Sequence, residues 1–289
     1  MPYLLIAVSN ILGGSTYAVS VVALKGFPEK DLILLRMALC AALFVPFLWR
    51  GRRRLSAATR GDWARIWAVG LFGYALPLSL GTYGVKLSSA TSASLLVGIE
   101  PVTIVLLSAF FLGEALTGLK ILSLVLGLSG AMLIAFQGFP DLSGAFSDRL
   151  KGDLILAFHG GCWALYSVLG KSALKRVDPL DFTAATSVIG FLGVALWALP
   201  GANPSAWAAA PLTAWYATTY LAVAGGFLAV ILWNIALNKV EASKVANFIF
   251  LQPVVGVLLG VGFQGDPLTA WSMAGGALVL GGMYAASRS

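Results

Sequence analysis

Apolar stretches of about 20 residues follow one another along the whole chain, with only short loops between them. A helix of that length crosses the hydrocarbon core of a bilayer. The stretches lie at 2–24, 29–49, 63–87, 90–112, 117–137, 151–173, 179–199, 212–238, 242–263 and 268–286. The expected fold is therefore an all-α membrane protein with ten transmembrane helices. Of the 289 residues, 59% are hydrophobic and 11% charged, whereas a soluble domain carries roughly 25% charged residues. One buried core cannot account for a mean hydropathy of +0.89, so apolar side chains must face lipid. The 33 glycines suit helices packed in lipid, where small residues let backbones approach. Breaks fall at Gly26-Phe27-Pro28-Glu29, at Arg50-Gly51-Arg52-Arg53-Arg54, over Pro140 to Asp148 and at Pro200-Gly201-Ala202-Asn203-Pro204. None of the loops could house a soluble domain.

The loops also set the orientation. With a cytoplasmic N-terminus, Arg50, Arg52, Arg53, Arg54, Arg60, Arg65, Lys120, Lys171, Lys175, Arg176, Lys239, Lys244 and Arg288 share the cytoplasmic side, 13 of the 19 basic residues. Lys25, Lys30, Lys86, Arg149 and Lys151 make 5 on the other side, and Arg36 lies inside the second span. This asymmetry predicts both termini in the cytoplasm of a bacterial cell, in a multi-pass inner-membrane protein. The net charge of +7 is thus a topology signal, not a nucleic-acid footprint. The first run has no basic segment before it and exceeds a signal-peptide core, so it is read as the first transmembrane helix. Cys40 and Cys162 both sit in apolar runs and read as small buried hydrophobes. No Cys/His cluster has metal-ligand spacing, and no cofactor is expected.

The sequence repeats itself. At a shift of 152, Ala90 falls on Ala242, Glu100-Pro101 on Gln252-Pro253, Gly113-Glu114 on Gly265-Asp266 and Thr117 on Thr269. Trp63 falls on Trp215 and Gly130 on Gly282; a shift of 150 brings Asp31 onto Asp181. The expected units are 1–140 and 150–289, each with five spans. Five is odd, so the second unit enters the membrane from the opposite side. Two inverted copies with a site at the midplane are a common plan of secondary transporters.

The stretch from Leu80 to Ala135, LGTYGVKLSSATSASLLVGIEPVTIVLLSAFFLGEALTGLKILSLVLGLSGAMLIA, resembles the EamA domain of the drug/metabolite transporter superfamily. The shared features are a Tyr before a basic residue, a Ser/Ala-rich start to the fourth span, mid-span Pro101, Gly113-Glu114 and a glycine-spaced fifth span. The second half repeats the pattern more loosely through Pro253 and Gly265-Asp266. Gly13-Gly14 departs from it, standing where many members carry Trp-Gly; Trp163-Ala164 occupies the matching place in the sixth span. The resemblance implies a metabolite exporter, closest in appearance to aromatic or broad-range amino-acid exporters.

Polar groups inside lipid are costly and so are candidates for a substrate site. At 1.5 Å per residue, Glu100, Gln252 and Tyr74 lie near the midplane and Asn10 about a third of the way into the first span. Glu100 reads either as an amine or proton site or as a carboxyl bracing the helix break at Pro101. His159, Trp163 and Tyr166 share one helical face, either a cavity wall or aromatic packing. Arg36 is read as snorkelling or paired with an acid, with a substrate role as the alternative. Glu114 and Asp266, with Pro101 and Pro253, are assigned structural roles: the acids cap the following helix or latch a loop. Gly170-Lys171-Ser172 lacks the earlier glycine of a phosphate-binding loop, so no nucleotide is expected.

The first functional reading is a secondary transporter exporting amino acids or related small metabolites by alternating access, with a small-molecule substrate, a lipid surround, no nucleic acid and a proton as candidate coupling ion. The alternatives are a membrane-embedded enzyme, a channel or an uptake carrier. An enzyme needs a nucleophile and base or a metal cluster, for which one histidine without metal spacing offers little, and a channel a ring of like charges or a filter loop.

Overall fold

The computed structural model describes residues 1–87, 96, 98–136, 146–259, 261–262 and 268–289. Among them all regular structure is helical. α1 is Pro2–Leu24 and α2 is Glu29–Ser56. α3 joins Arg60–Ala68, a π segment Val69–Ala75 and Leu76–Leu87. α4 is Ile99–Leu112, α5 Gly118–Phe136, α6 Phe146–Ala173 and α7 Pro179–Ala198. α8 joins Leu212–Tyr220, a second π segment Leu221–Leu228 and Ala229–Lys239. α9 joins Ala242–Ala246, a 3-10 turn Asn247–Phe250 and Leu251–Leu259, and α10 is Ala270–Arg288. Among the described residues six stretches are long and apolar enough to cross a membrane: Pro2–Leu24, Glu29–Ser56, Arg60–Gly84, Pro179–Gly201, Leu212–Lys239 and Ala242–Leu259. Ile99–Leu112 and Gly118–Ile134 are shorter apolar helices. The Ser/Ala-rich start of the expected fourth span, the break from Pro140 and the Gly265-Asp266 pair lie outside the described residues.

Local sequence sets the helix limits. α2 opens with Glu29 and Asp31 at the positive end of its dipole. It continues to Ser56, through the arginines expected to break it, because arginine is a strong helix former and cations favour a helix C-terminus. A Cβ at Gly51 would collide with the Asp181 carboxylate, which Arg54 grips through Nε at 2.6 Å and Nη2 at 2.9 Å. Thr59 and Asp62 form a reciprocal capping box that starts α3. α4 stops at Gly113, whose φ of 70° is left-handed and suits glycine alone. α9 is irregular because Pro253 has no N–H for the Ile249 carbonyl and its ring crowds that group; the preceding turn tightens to 3-10.

Glycines fix how closely helices approach. α5 and α10 run antiparallel in contact: a Cβ on Gly130 would lie 2.5 Å from the Gly275 carbonyl oxygen, and one on Gly282 would lie 2.8 Å from that of Ser123. α2 and α7 are also antiparallel, with Arg54 on Asp181 at one end and Lys30 over Trp197 at the other. The remaining main contacts occur in exchanged pairs. α1 packs on α8 as α6 packs on α3; α1 packs on α9 as α6 packs on α4; α2 meets the π segment of α8 as α7 meets that of α3. The outer surface is apolar, with Phe110 and Leu196 82% and 83% exposed, as a lipid-facing belt requires.

Candidate functional site

α1, α3, α4, α6, α8 and α9, with one residue of α2, enclose a cavity of about 190 Å³. A single water needs on the order of 10–15 Å³ by the same measure, so the space admits a small metabolite. α1 contributes a stripe of small, mostly polar residues, Asn10, Gly13, Thr16 and Ser20, spaced three to four apart as one helical face requires, with Ser9 beside Asn10. All seven candidate binding residues meet here: Asn10, Tyr74, Glu100, His159, Trp163, Tyr166 and Gln252. Among the described residues no group of three or more His, Cys, Asp or Glu is gathered as metal ligands.

One wall is aromatic. The Trp163 ring lies 6.0 Å from Tyr74, 6.3 Å from His159 and 5.6 Å from Tyr166, in edge-on arrangements that aromatic quadrupoles favour. His159 Nδ1 is 2.7 Å from the Pro77 carbonyl oxygen. A carbonyl only accepts, so Nδ1 carries the proton. The absence of a side chain at Gly81 makes room for that ring, since a Cβ there would lie 2.7 Å from His159 Cε1. The two tyrosine hydroxyls are already engaged: Tyr74 donates to the Gly226 carbonyl at 3.4 Å, and Tyr166 accepts from Asn234 Nδ2 at 2.7 Å. Asn234, which also donates to Thr183 Oγ1 at 2.8 Å, escaped the sequence reading. An amide inside the apolar run of α8 was the available signal.

The polar wall divides into paired and unpaired groups. Asn10 Oδ1 accepts from Gln252 Nε2 at 3.0 Å while its Nδ2 donates to the Ile6 carbonyl at 2.9 Å. Gly14 permits this contact, because a Cβ would stand 3.0 Å from the Gln252 backbone. Glu100 sits where Gly160 brings α6 against α4, and no hydrogen bond or ion pair reaches its carboxyl among the described residues. Buried Trp233 Nε1 on the same cavity likewise has no partner among them. Arg36 follows the alternative of its sequence reading: it lines the cavity from α2, and among the described residues it pairs with no acid. Depth along a helix was readable; the direction in which the side chain points was not.

Polar contacts link the helices at one end of the bundle. The Glu114 carboxylate accepts from the Ala242 N–H at 2.7 Å, the Ser243 N–H at 3.0 Å and the Ser243 hydroxyl at 2.5 Å, so it caps α9 across the bundle. The helix that follows Glu114 is capped instead by Thr117, which accepts from Lys120 N–H at 3.3 Å. Lys120 reaches Glu241 at 2.7 Å, and this hydrogen bond holds the Glu241 carboxyl below its ordinary pKa. Lys171 donates to the carbonyls of Leu237 at 2.6 Å and Val240 at 2.8 Å. Glu114→Ala should lower stability by about 1–3 kcal/mol, since charge-assisted bonds to a helix start are lost, and Glu114→Gln by less. Thermal unfolding in detergent reads this; an unchanged midpoint for Glu114→Ala would remove the cap from the account.

The sequence profile of the EamA-like transporter family matches residues 1–136 and again 150–288. The chain belongs to the EamA-like transporter family. It is thus a multi-pass membrane transporter and not an enzyme. Among EamA-like relatives, "Uncharacterized transporter YyaM" of Bacillus subtilis is 26% identical over 99% of this chain and 93% of its own. "Uncharacterized protein PA1977" of Pseudomonas aeruginosa is 32% identical over 84% of this chain and 78% of its own. A "Probable terminal-alkyne amino-acid exporter" of Streptantibioticus cattleyicolor is 27% identical over 92% and 86%. A crystal structure 23% identical shares the fold at a TM-score of 0.78, over 99% of this chain and 96% of its own.

Proposed function

We propose that the protein is a secondary transporter that exports amino acids or related small metabolites by alternating access. Ten transmembrane helices form two inverted repeats, 1–140 and 150–289, in a bacterial inner membrane with both termini cytoplasmic. The observation that carries the reading is the cavity, whose walls come from equivalent helices of both halves. The exchanged helix contacts and the two family matches support the repeat. The mates α2 and α7, and α5 and α10, run antiparallel, as an axis in the membrane plane requires. Asn10, Tyr74, Glu100, His159, Trp163, Tyr166 and Gln252 bind the substrate, the aromatic wall taking its apolar part. Glu100 serves a ligand amine or a coupling proton. Pro101 and Pro253 loosen α4 and α9, while Glu114 caps α9. The substrate class rests on the likeness to the Streptantibioticus cattleyicolor exporter and on the shape of the site.

Two measurements test this. With Cys40 and Cys162 buried, an impermeant maleimide should reach Arg52→Cys and Arg288→Cys from the same, cytoplasmic side; reaction from opposite sides contradicts the topology. Purified protein in liposomes should move labelled amino acids saturably without nucleotide, and a pH gradient should alter the rate if Glu100 carries a coupling proton. Flux that strictly requires ATP contradicts the proposal.

A further inference from the structure

Arg36 is the cavity group with the largest unmet demand. Its residue lines the cavity from α2, and Nη2 lies 3.7 Å from where a Cβ on Gly225 would stand. The groups around it are Tyr74 on α3, Cys40 one turn along α2, and Thr16 on α1, whose methyl packs against Gly225. None of these is a carboxylate. The Tyr74 hydroxyl donates to a backbone carbonyl and the Thr16 hydroxyl donates to the Gly13 carbonyl at 2.6 Å. Glu100 lines the same cavity but makes no ion pair with Arg36, and neither has a hydrogen-bond partner among the described residues. A guanidinium presents five donors in a planar fork and stays charged. Held inside a membrane protein without a counter-ion it is costly, and such groups mark sites where an ion or ligand completes the charge.

We infer that the substrate supplies this counter-ion: Arg36 seats a carboxylate, and the transported molecule is a carboxylic acid whose apolar part lies on the Trp163 wall. The fork matches the two oxygens of a carboxylate in paired hydrogen bonds. A bare amine leaves Arg36 without its counter-ion, even where Glu100 on the same cavity takes the amine. The inference rests on reading the cavity as the substrate's path, and it assigns the end of the ligand that the site must recognise.

Quenching of tryptophan fluorescence in purified protein in nanodiscs tests it with two matched probe sets. One is L-phenylalanine, 3-phenylpropionate and 2-phenylethylamine; the other is L-leucine, 4-methylpentanoate and isoamylamine. The wild type should bind at least one carboxylate probe and discriminate against the amine of the same set by about 10- to 100-fold, the range for hydrogen bonds to a charged group. Arg36→Gln should lose that preference, and Arg36→Lys, a charge without the fork, should keep part of it. The wild-type comparison stands even if Arg36→Gln does not fold. Wild-type protein that binds no carboxylate probe, or binds amines equally well, overturns the inference, as does carboxylate binding unchanged in Arg36→Gln. Carboxylate binding that depends on Arg36 without flux in liposomes would sink the transport reading and leave this site standing.

Discussion

Gly130→Val should prevent the protein from reaching its native packing. The α5–α10 contact places the Gly275 carbonyl oxygen 2.5 Å from the position of a Cβ on Gly130, and the Val279 backbone nitrogen at 2.9 Å. The obstacle is backbone, not a flexible side-chain tip, so one helix has to move. The same shift would loosen Gly282 on Ser123 and Phe250 against Gly127. Overpacking typically costs about 1–3 kcal/mol and more where backbone must shift; a loss of at least about 3 kcal/mol is expected here. Gly276→Val on α10, the other helix of the pair, is the control, since a Cβ there meets nothing within 4 Å. Size-exclusion profiles and thermal midpoints read the difference, and equal behaviour of the two variants contradicts the close α5–α10 contact.

Trp163→Ala should cut kcat/KM for transport by about 10- to 100-fold, the scale of a lost aromatic contact together with its buried area. The protein should remain folded, because this ring already faces open space, unlike Tyr166, which is 1% exposed and bonded to Asn234. Trp163→Phe should retain most of the rate. Transport at the wild-type rate with unchanged substrate preference in Trp163→Ala would reduce the aromatic face to packing.

The sequence exposed some levels of this organisation and hid others. Runs of apolar residues located the helices because lipid leaves the backbone no other partner than itself. At the shift of 152 the π segments begin at matching positions, Val69 and Leu221, and Tyr74 donates to Gly226, the residue 152 positions on. Depth along the helices pointed to Asn10, Tyr74, Glu100 and Gln252, and a shared helical face to His159, Trp163 and Tyr166; all seven line one cavity. What depth cannot give is rotation about the helix axis, and this is why Arg36 was placed at a face and Asn234 was passed over. The charges of the arginines at 50–54 suggest a break, but their helix propensity carries α2 through them to Ser56. Glu114 shows a further limit. Its position after α4 pointed to a cap, but its partner, α9, is far away in sequence and only tertiary packing selects it.

Counterflow tests the central claim, that the cavity serves a carrier with alternating access. Liposomes containing the purified protein are loaded with unlabelled amino acid, diluted into a trace of the labelled form without nucleotide, and followed in time. Exchange through one alternately exposed site should drive the label transiently above its equilibrium level inside, with an overshoot that shrinks in Trp163→Ala. Monotonic, non-saturating equilibration of the label, the same in liposomes with and without the protein, would contradict the account.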